Sequence, residues 1–313
     1  MKTFLITGGA GFIGSTLANQ LAQLGHEVRV IDDLTAGDQS FLSPDIHFTR
    51  GDVQNVSRLW SLLQDVDCVY HLAARVSVAE SILYPGDYNR INTGGAVSLM
   101  EAMRDAGVSR VVLASSGTVY GTQSQQPVRE TAATNPDSPY AVSKLAAETY
   151  IHTIGRLWGI ETVALRIFNA YGPRQNLPVS HAPVVPRFLR QAITGGSVVL
   201  YGGGQQIRDF VHVSDVVDAL IKAADAPDIN QSVINIGCGR GVSITELVDT
   251  MEAVIGKSIN RIVNQDRSTG VPVLIGDIGL AAEKLGYSPK VSLTEGLKRL
   301  IENDLRFSTS SPK

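Results

Sequence analysis

Hydrophobic positions along this chain fall into two alternating patterns. Residues 2–7, 27–31, 46–50, 66–71, 110–115 and 162–168 are short apolar runs of strand length, the pattern of strands buried on both faces. Between them, residues 15–24, 55–64, 89–106 and 139–157 carry apolar positions at helical spacing, the first segment stopped by Gly25. Strands alternating with helices predict the α/β class and a doubly wound parallel sheet, with a ligand at the carboxyl ends of the strands. That rule lines up Gly51-Asp52-Val53, His71-Leu72-Ala73-Ala74 and Ser115-Ser116 along one edge. After Tyr171 the alternation fails. Pro173, Pro178, Pro183 and Pro186 interrupt a loop, and Gly202-Gly203-Gly204 makes a turn. The expected division is a first domain over 1–172, to which 208–236 returns, and a smaller mixed α/β domain from 173–207 and 237–313.

Composition narrows the class without choosing a reaction. The 313 residues are 43% hydrophobic and 18% charged, a globular balance with ample material for a core. A net charge of −3 without a dense Lys/Arg run argues against a nucleic-acid partner. Cys68 and Cys238 are too few for a disulfide framework, and Cys68 lies inside an apolar run. The six histidines are scattered without paired ligand spacing, so no metal site is expected. No apolar stretch reaches the ~18 residues of a membrane span. The amino terminus enters a strand directly, without a charged-then-apolar leader. The expected location is therefore cytoplasmic, with no membrane partner.

The turn after the first strand carries the first chemistry. Gly8, Gly11 and Gly14 fall within Gly8-Gly9-Ala10-Gly11-Phe12-Ile13-Gly14, a variant of the dinucleotide fingerprint. Strand, glycine turn and helix in this order aim backbone N–H groups and a helix dipole at a pyrophosphate. The next strand ends in Asp32, eighteen residues after Gly14. A carboxylate there accepts from a ribose 2′-hydroxyl and repels a 2′-phosphate, which favours NAD over NADP. Asp33 follows it and is counted with the same group. The sheet is thus expected to be of the Rossmann type.

Ser138-Pro139-Tyr140-Ala141-Val142-Ser143-Lys144 carries the second. Ser138 suits a helix cap and Pro139 its first turn. Tyr140 and Lys144, four residues apart, then stack on one helix face. A phenol titrates near pH ~10. The neighbouring ammonium and the helix start are both expected to favour phenolate, making Tyr140 a usable general base.

Taken with Ser115-Ser116-Gly117-Thr118-Val119-Tyr120-Gly121, the 166–175 stretch, Arg208-Asp209-Phe210-Val211-His212 and Lys284-Leu285-Gly286-Tyr287, these segments resemble the extended short-chain dehydrogenase/reductase family. Within it they resemble the NAD-dependent nucleotide-sugar epimerases and dehydratases. The resemblance implies Tyr140 as catalytic base, Lys144 on the nicotinamide ribose and Ser116 on the reacting sugar hydroxyl. It places Asp52 and Val53 against adenine. Phe12, Ile13, Leu72, Ala73, Ala74, Asn92, Ser115 and Phe168 fall along the rest of the NAD groove, although Asn92 could equally cap the 92–106 helix. Asn169, Arg208 and Arg267 correspond to diphosphate contacts, which guanidinium geometry suits. Leu274 corresponds to the position limiting the C2 substituent. The smaller domain would bind the nucleotide sugar.

Relatives that eliminate water carry an acidic pair where this chain has Gly117 and Thr118, and uronate decarboxylases usually carry a glutamate at the Thr118 position. The expected reaction is therefore 4-epimerisation of a UDP-sugar through a 4-keto intermediate. Action on UDP-N-acetylhexosamine or UDP-uronate, dehydration, and a non-catalytic NAD sensor are the alternatives. Asn176 stands where some uronate enzymes have arginine, which disfavours a charged sugar. Relatives also pair helices near 89–106 and 139–157 into a four-helix bundle, implying a homodimer. Leu99, Met100, Met103, Leu145, Ala146 and Tyr150 could cover either that interface or the sheet.

Overall fold

A computed structural model of the chain describes residues 1–265 and 270–307. The first half runs β1 (Thr3–Thr7), α1 (Phe12–Gln23), β2 (Glu27–Asp32), β3 (His47–Arg50), α2 (Val56–Leu62) and β4 (Cys68–His71). It continues through α3 (Val78–Leu83), α4 (Pro85–Tyr88), α5 (Gly95–Ala106), β5 (Arg110–Ser116), α6 (Pro139–Trp158) and β6 (Glu161–Ile167). The second half begins with β7 (Asn169–Tyr171), α7 (Val184–Ile193), β8 (Ser197–Tyr201), β9 (Ile207–Arg208), β10 (Phe210–His212), α8 (Val213–Asp225) and β11 (Ser232–Ile236). It ends with β12 (Val242–Ser243), α9 (Ile244–Ile255), β13 (Asn260–Asn264), β14 (Val273–Leu274), α10 (Gly279–Leu285) and α11 (Leu293–Asn303).

Seven strands form one parallel sheet in the order β11-β6-β5-β4-β1-β2-β3. Strand order reverses between β1 and β4, which opens the crevice where such sheets bind ligands. Both faces are covered, so each strand sends alternate residues to different cores. In β1, Phe4 and Ile6 join Leu17, Leu21 and Leu220 on one face. Leu5 joins Leu59, Leu99, Met100, Met103 and Ile151 on the other. The choice left open for Leu99, Met100 and Met103 is thereby decided: they are fully buried against the sheet.

The helix expected over 89–106 is not continuous. A π-helical turn, Asn89–Gly94, joins α4 to α5. Asn92 lies inside that turn rather than at a cap, and its side chain is buried. Its Oδ1 accepts from the Arg75 N–H at 2.8 Å, and its Nδ2 donates to the Arg75 carbonyl at 3.0 Å and to Ser143 Oγ at 2.9 Å. The wider turn carries this amide between the loop after β4 and helix α6.

The remaining elements use shorter strands. β8 and β13 form a parallel pair, and β12, β9 and β14 form a small mixed sheet. Their core gathers Phe188, Leu189, Leu247, Met251, Leu297 and Leu300. Among the described residues, no helix is long and apolar enough to cross a membrane.

Candidate active site

The glycine turn after β1 leaves no room for side chains. Gly8 has φ +70°, and a Cβ there would lie 2.6 Å from the Ala73 backbone nitrogen. A Cβ on Gly14 would overlap the Gly8 carbonyl. Phe12 and Ile13 open α1 directly after this turn. Asp32 closes the turn from β2. Its Oδ2 accepts from the Ala10 N–H at 3.0 Å and its Oδ1 from the Leu34 N–H at 2.9 Å. Burial raises its pKa although those amides oppose the shift. Asp33 is exposed and its carboxylate closes a local turn with Thr35. Asp52 does the same with the Gln54 N–H at 2.8 Å, while Val53 is buried with its side chain against Gly95.

A polar floor lies beneath Leu72, Ala73 and Ala74. The Thr7 hydroxyl accepts from the Ala73 N–H at 3.3 Å and meets His71 Nδ1 at 2.8 Å. Burial, reinforced by Lys144, lowers the His71 pKa to about 3, so the ring is neutral and Nδ1 can accept. The sequence placed both residues at strand ends without showing that they bond.

Ser138 and Pro139 start α6 as expected, with Ser138 Oγ accepting from the Ala141 N–H at 3.3 Å. Tyr140 is 9% exposed and Lys144 5%. The Tyr140 phenol lies beside the Ser116 side chain, and its ring meets the edge of Tyr88 at 6.3 Å between centroids. The expected drop in the Tyr140 pKa is not found. Burial raises it, and the neighbouring Ser116 side chain only partly opposes this. Lys144 is itself desolvated, and its pKa falls to about 8 although Glu148 opposes the fall. Among the described residues, no carboxylate lies within ion-pair distance of its ammonium. Ser116 Oγ also meets Thr118 Oγ1 at 2.9 Å and accepts from the Thr118 N–H at 3.2 Å.

Sequence reasoning missed Glu148, the third member of the Tyr140–Lys144 stripe at the same spacing of four. Glu148 Oε2 accepts from Ser115 Oγ at 2.7 Å and from Arg166 Nε at 3.1 Å, and Oε1 accepts from Arg166 Nη2 at 2.5 Å. Breaking such a buried pair from one side typically costs ~3–5 kcal/mol. The i+8 position was the available signal, but its partner lies on another strand.

On the second-half side, β10 pairs with β7 so that Phe210 faces Asn169, and Leu274 of β14 faces Arg208 of β9. Arg208 donates to the carbonyls of Ile207 at 2.8 Å and Pro272 at 3.4 Å. Among the described residues it has no ion pair, and burial lowers its pKa although Asp137 opposes this. The Asn169 side-chain amide has no hydrogen-bond partner among them either, while its backbone N–H donates to the Asp209 carbonyl at 3.0 Å. Asp209, also missed, is completely buried. It accepts from the N–H groups of Cys238 at 2.6 Å, Gly239 at 3.0 Å and Gly276 at 3.2 Å. Leu274 is buried with Val119, Tyr120, Val128 and Phe168. The Phe168 ring packs over Gly117 and Gly276. Arg267 lies outside the described residues.

The sequence pattern of the NAD dependent epimerase/dehydratase family matches residues 4–237. The chain belongs to that family. The UDP-glucose 4-epimerase of Mycolicibacterium smegmatis is 36% identical over 317 residues, covering 96% of this chain and 98% of the relative. The crystal structure of UDP-glucose 4-epimerase with UDP-glucose from Thermotoga maritima superposes with a TM-score of 0.91 at 35% identity, covering 96% of this chain and 97% of that one. MoeE5 in complex with UDP-glucose and NAD gives a TM-score of 0.87 at 36% identity, covering 96% and 97%.

The family's NAD fits what this chain presents. The glycine turn admits close approach only by a ligand without side-chain competition, and Asp32 stands at the strand end where a ribose hydroxyl would bond. Among the described residues, the buried Lys144 ammonium has no carboxylate within ion-pair distance. The cofactor of this family member is NAD.

Proposed function

We propose that this protein is an NAD-dependent UDP-sugar 4-epimerase of the UDP-glucose/UDP-galactose type, working through a transient 4-keto sugar. The observation that carries this reading is the pairing of Ser116 and Tyr140 beside a Gly117-Thr118 step without a carboxylate. What NAD supplies when bound is a reversible hydride acceptor for C4. Tyr140 Oη takes the proton of the C4 hydroxyl and later returns it. Ser116, beside the phenol, holds the same sugar oxygen. Lys144 places a positive charge one turn away and holds the nicotinamide ribose. Arg208, Asn169 and Arg267 grip the diphosphate so that only the sugar turns. Thr118 can neither protonate a departing hydroxyl nor draw a proton from C5, so elimination lacks its acid.

Incubation with a panel of UDP-sugars without added NAD, followed by proton NMR and mass spectrometry, tests the reading. Inverted C4 at unchanged mass is expected. Loss of water or carbon dioxide would overturn it.

The same reading makes the protein a cytoplasmic homodimer with two lobes, 1–172 plus 208–236 and 173–207 plus 237–313. Supporting the lobes, β11 and α8 join the large sheet and its core, whereas α7, α9 and α11 share a separate core. Supporting the dimer, α6 turns Val142 and Tyr150 outward at 52% and 49% exposure, with the half-buried Leu145 and Ala146 between them. Sedimentation showing a monomer at micromolar concentration would remove the four-helix bundle.

A further inference from the structure

Tyr140, Lys144 and Glu148 form one buried stripe along α6, yet only the first two have a place in the reaction above. Glu148 faces away from solvent at 4% exposure and meets two strands at once. Its contacts, Ser115 on β5 and Arg166 on β6, are themselves paired across the sheet. Ser115 immediately precedes Ser116. The Arg166 guanidinium lies 4.6 Å from the centre of the Tyr120 ring, which fixes the partner from its other side. One carboxylate therefore sets both the height of α6 over the sheet and the strand position from which Ser116 reaches Tyr140.

The charges point the same way. Lys144 faces His71 from β4 and Glu148 from its own helix. Glu148 faces Arg166 from β6 and His152 from α6. Burial lowers the His152 pKa and holds that of His71 to about 3, so neither ring carries charge in the neutral range. Tyr140 and Tyr120 are phenols raised by burial and are neutral as well. Lys144 and Arg166 thus both face Glu148, and Glu130 also acts on Arg166.

We propose that Glu148 is a positioning residue for the epimerase, holding Lys144 charged and in register with Ser116 through Ser115 and Arg166. It touches neither sugar nor cofactor. The proposal rests on the functional reading above for the roles of Lys144 and Ser116, whereas its own physical test does not need turnover.

The test is the titration of Lys144 in protein carrying ¹³C-labelled lysine, purified with its NAD and assigned against Lys144→Arg. Glu148→Gln keeps the shape and removes the charge. Because it leaves the Arg166 charge buried alone, Glu148→Gln/Arg166→Met is measured alongside it, and Glu148→Asp serves as the rescue. In Glu148→Gln the Lys144 midpoint should fall by about one pH unit or more, the size of effect one nearby opposite charge exerts, and in Glu148→Gln/Arg166→Met it should fall by less, because the lost Arg166 cation offsets the lost anion. The alkaline limb of kcat should move with it, while KM for the UDP-sugar stays within about twofold because the diphosphate contacts are untouched. Glu148→Asp should restore the midpoint. A midpoint that does not move in the folded variants would overturn the proposal. So would collapse of both neutral variants with a wild-type Lys144 titration in Glu148→Asp at a wrongly placed helix, since either result assigns Glu148 to structure alone. If the wild type inverts no UDP-sugar, the epimerase reading fails, and the Lys144 titration still decides this one.

Discussion

The two walls of the groove are built on different principles. The β1–β5 wall presents mostly backbone, and three of its polar side chains are already engaged: Asp32 with two amides, Thr7 with Ala73 and His71, Asn92 with Arg75 and Ser143. The opposite wall is carried by two- and three-residue strands and presents side chains with capacity to spare, Arg208 without an ion pair and Asn169 without a bonded side-chain amide among the described residues. A pre-organised wall suits a cofactor retained through every turnover. A wall that leaves its charge uncompensated suits a ligand that supplies the missing charge and then departs, because a desolvated guanidinium gains most from an incoming anion.

The sharpest way to break this contrast is Tyr140→Phe, which keeps the ring against Tyr88 and removes the proton-carrying oxygen. Turnover should fall by roughly 10²- to 10⁴-fold, with NAD content of the purified protein unchanged. Near-normal kcat would remove Tyr140 from its assigned role. Next in size, Arg208→Ala should raise KM by roughly 10- to 150-fold, the value of a hydrogen bond to a charged group. NAD retention should not change; if cofactor is lost in parallel, the two walls are not independent. Asp32→Asn should narrow the preference for NAD over NADP by about tenfold, since it removes repulsion but leaves the turn. Equilibrium binding of both cofactors to stripped protein measures this, and an unchanged ratio would move cofactor choice elsewhere.

The smallest effect concerns pH. Lys144 has a pKa lowered to about 8 by burial, so its ammonium is complete below that value and is lost as pH rises through it. At pH 8 the charged fraction should be about half, a twofold change in any step that needs the charge. The effect on stability has the opposite sense. Between pH 8 and the ordinary lysine value of 10.5, the unfolded chain binds the proton that the folded one has released, so this group makes stability rise with pH in that window. A kcat profile flat from pH 7 to 9 would contradict the placement of Lys144 beside the reaction.

The sequence revealed the cofactor wall better than the substrate wall for a physical reason. Parallel strands buried on both faces write themselves as continuous apolar runs, and the glycine turn and Asp32 are local features of one βαβ unit. β9, β12 and β14 are two residues long, too short to show a period of two. The π-helical turn at Asn89–Gly94 escaped because one extra residue barely disturbs helical spacing. The Tyr140 pKa was read with the wrong sign because its dominant cause is burial, which comes from residues distant in sequence, whereas the favourable neighbours are local. Glu148 and Asp209 were passed over for the same reason, since their partners lie 18 to 33 residues and 29 to 67 residues away.

Asp209 also carries a consequence for how the molecule is made. Its carboxylate is closed by amides of Cys238, Gly239 and Gly276, all of which emerge from the ribosome after it. The β1–β5 wall needs nothing beyond Ser116 for its own strands to pair. During synthesis, therefore, a nascent chain can form its cofactor cradle while the segment bearing Arg208 still hangs from an unmet carboxylate. A chain cut just after β11 would keep every strand of the large sheet and have no means of seating Arg208.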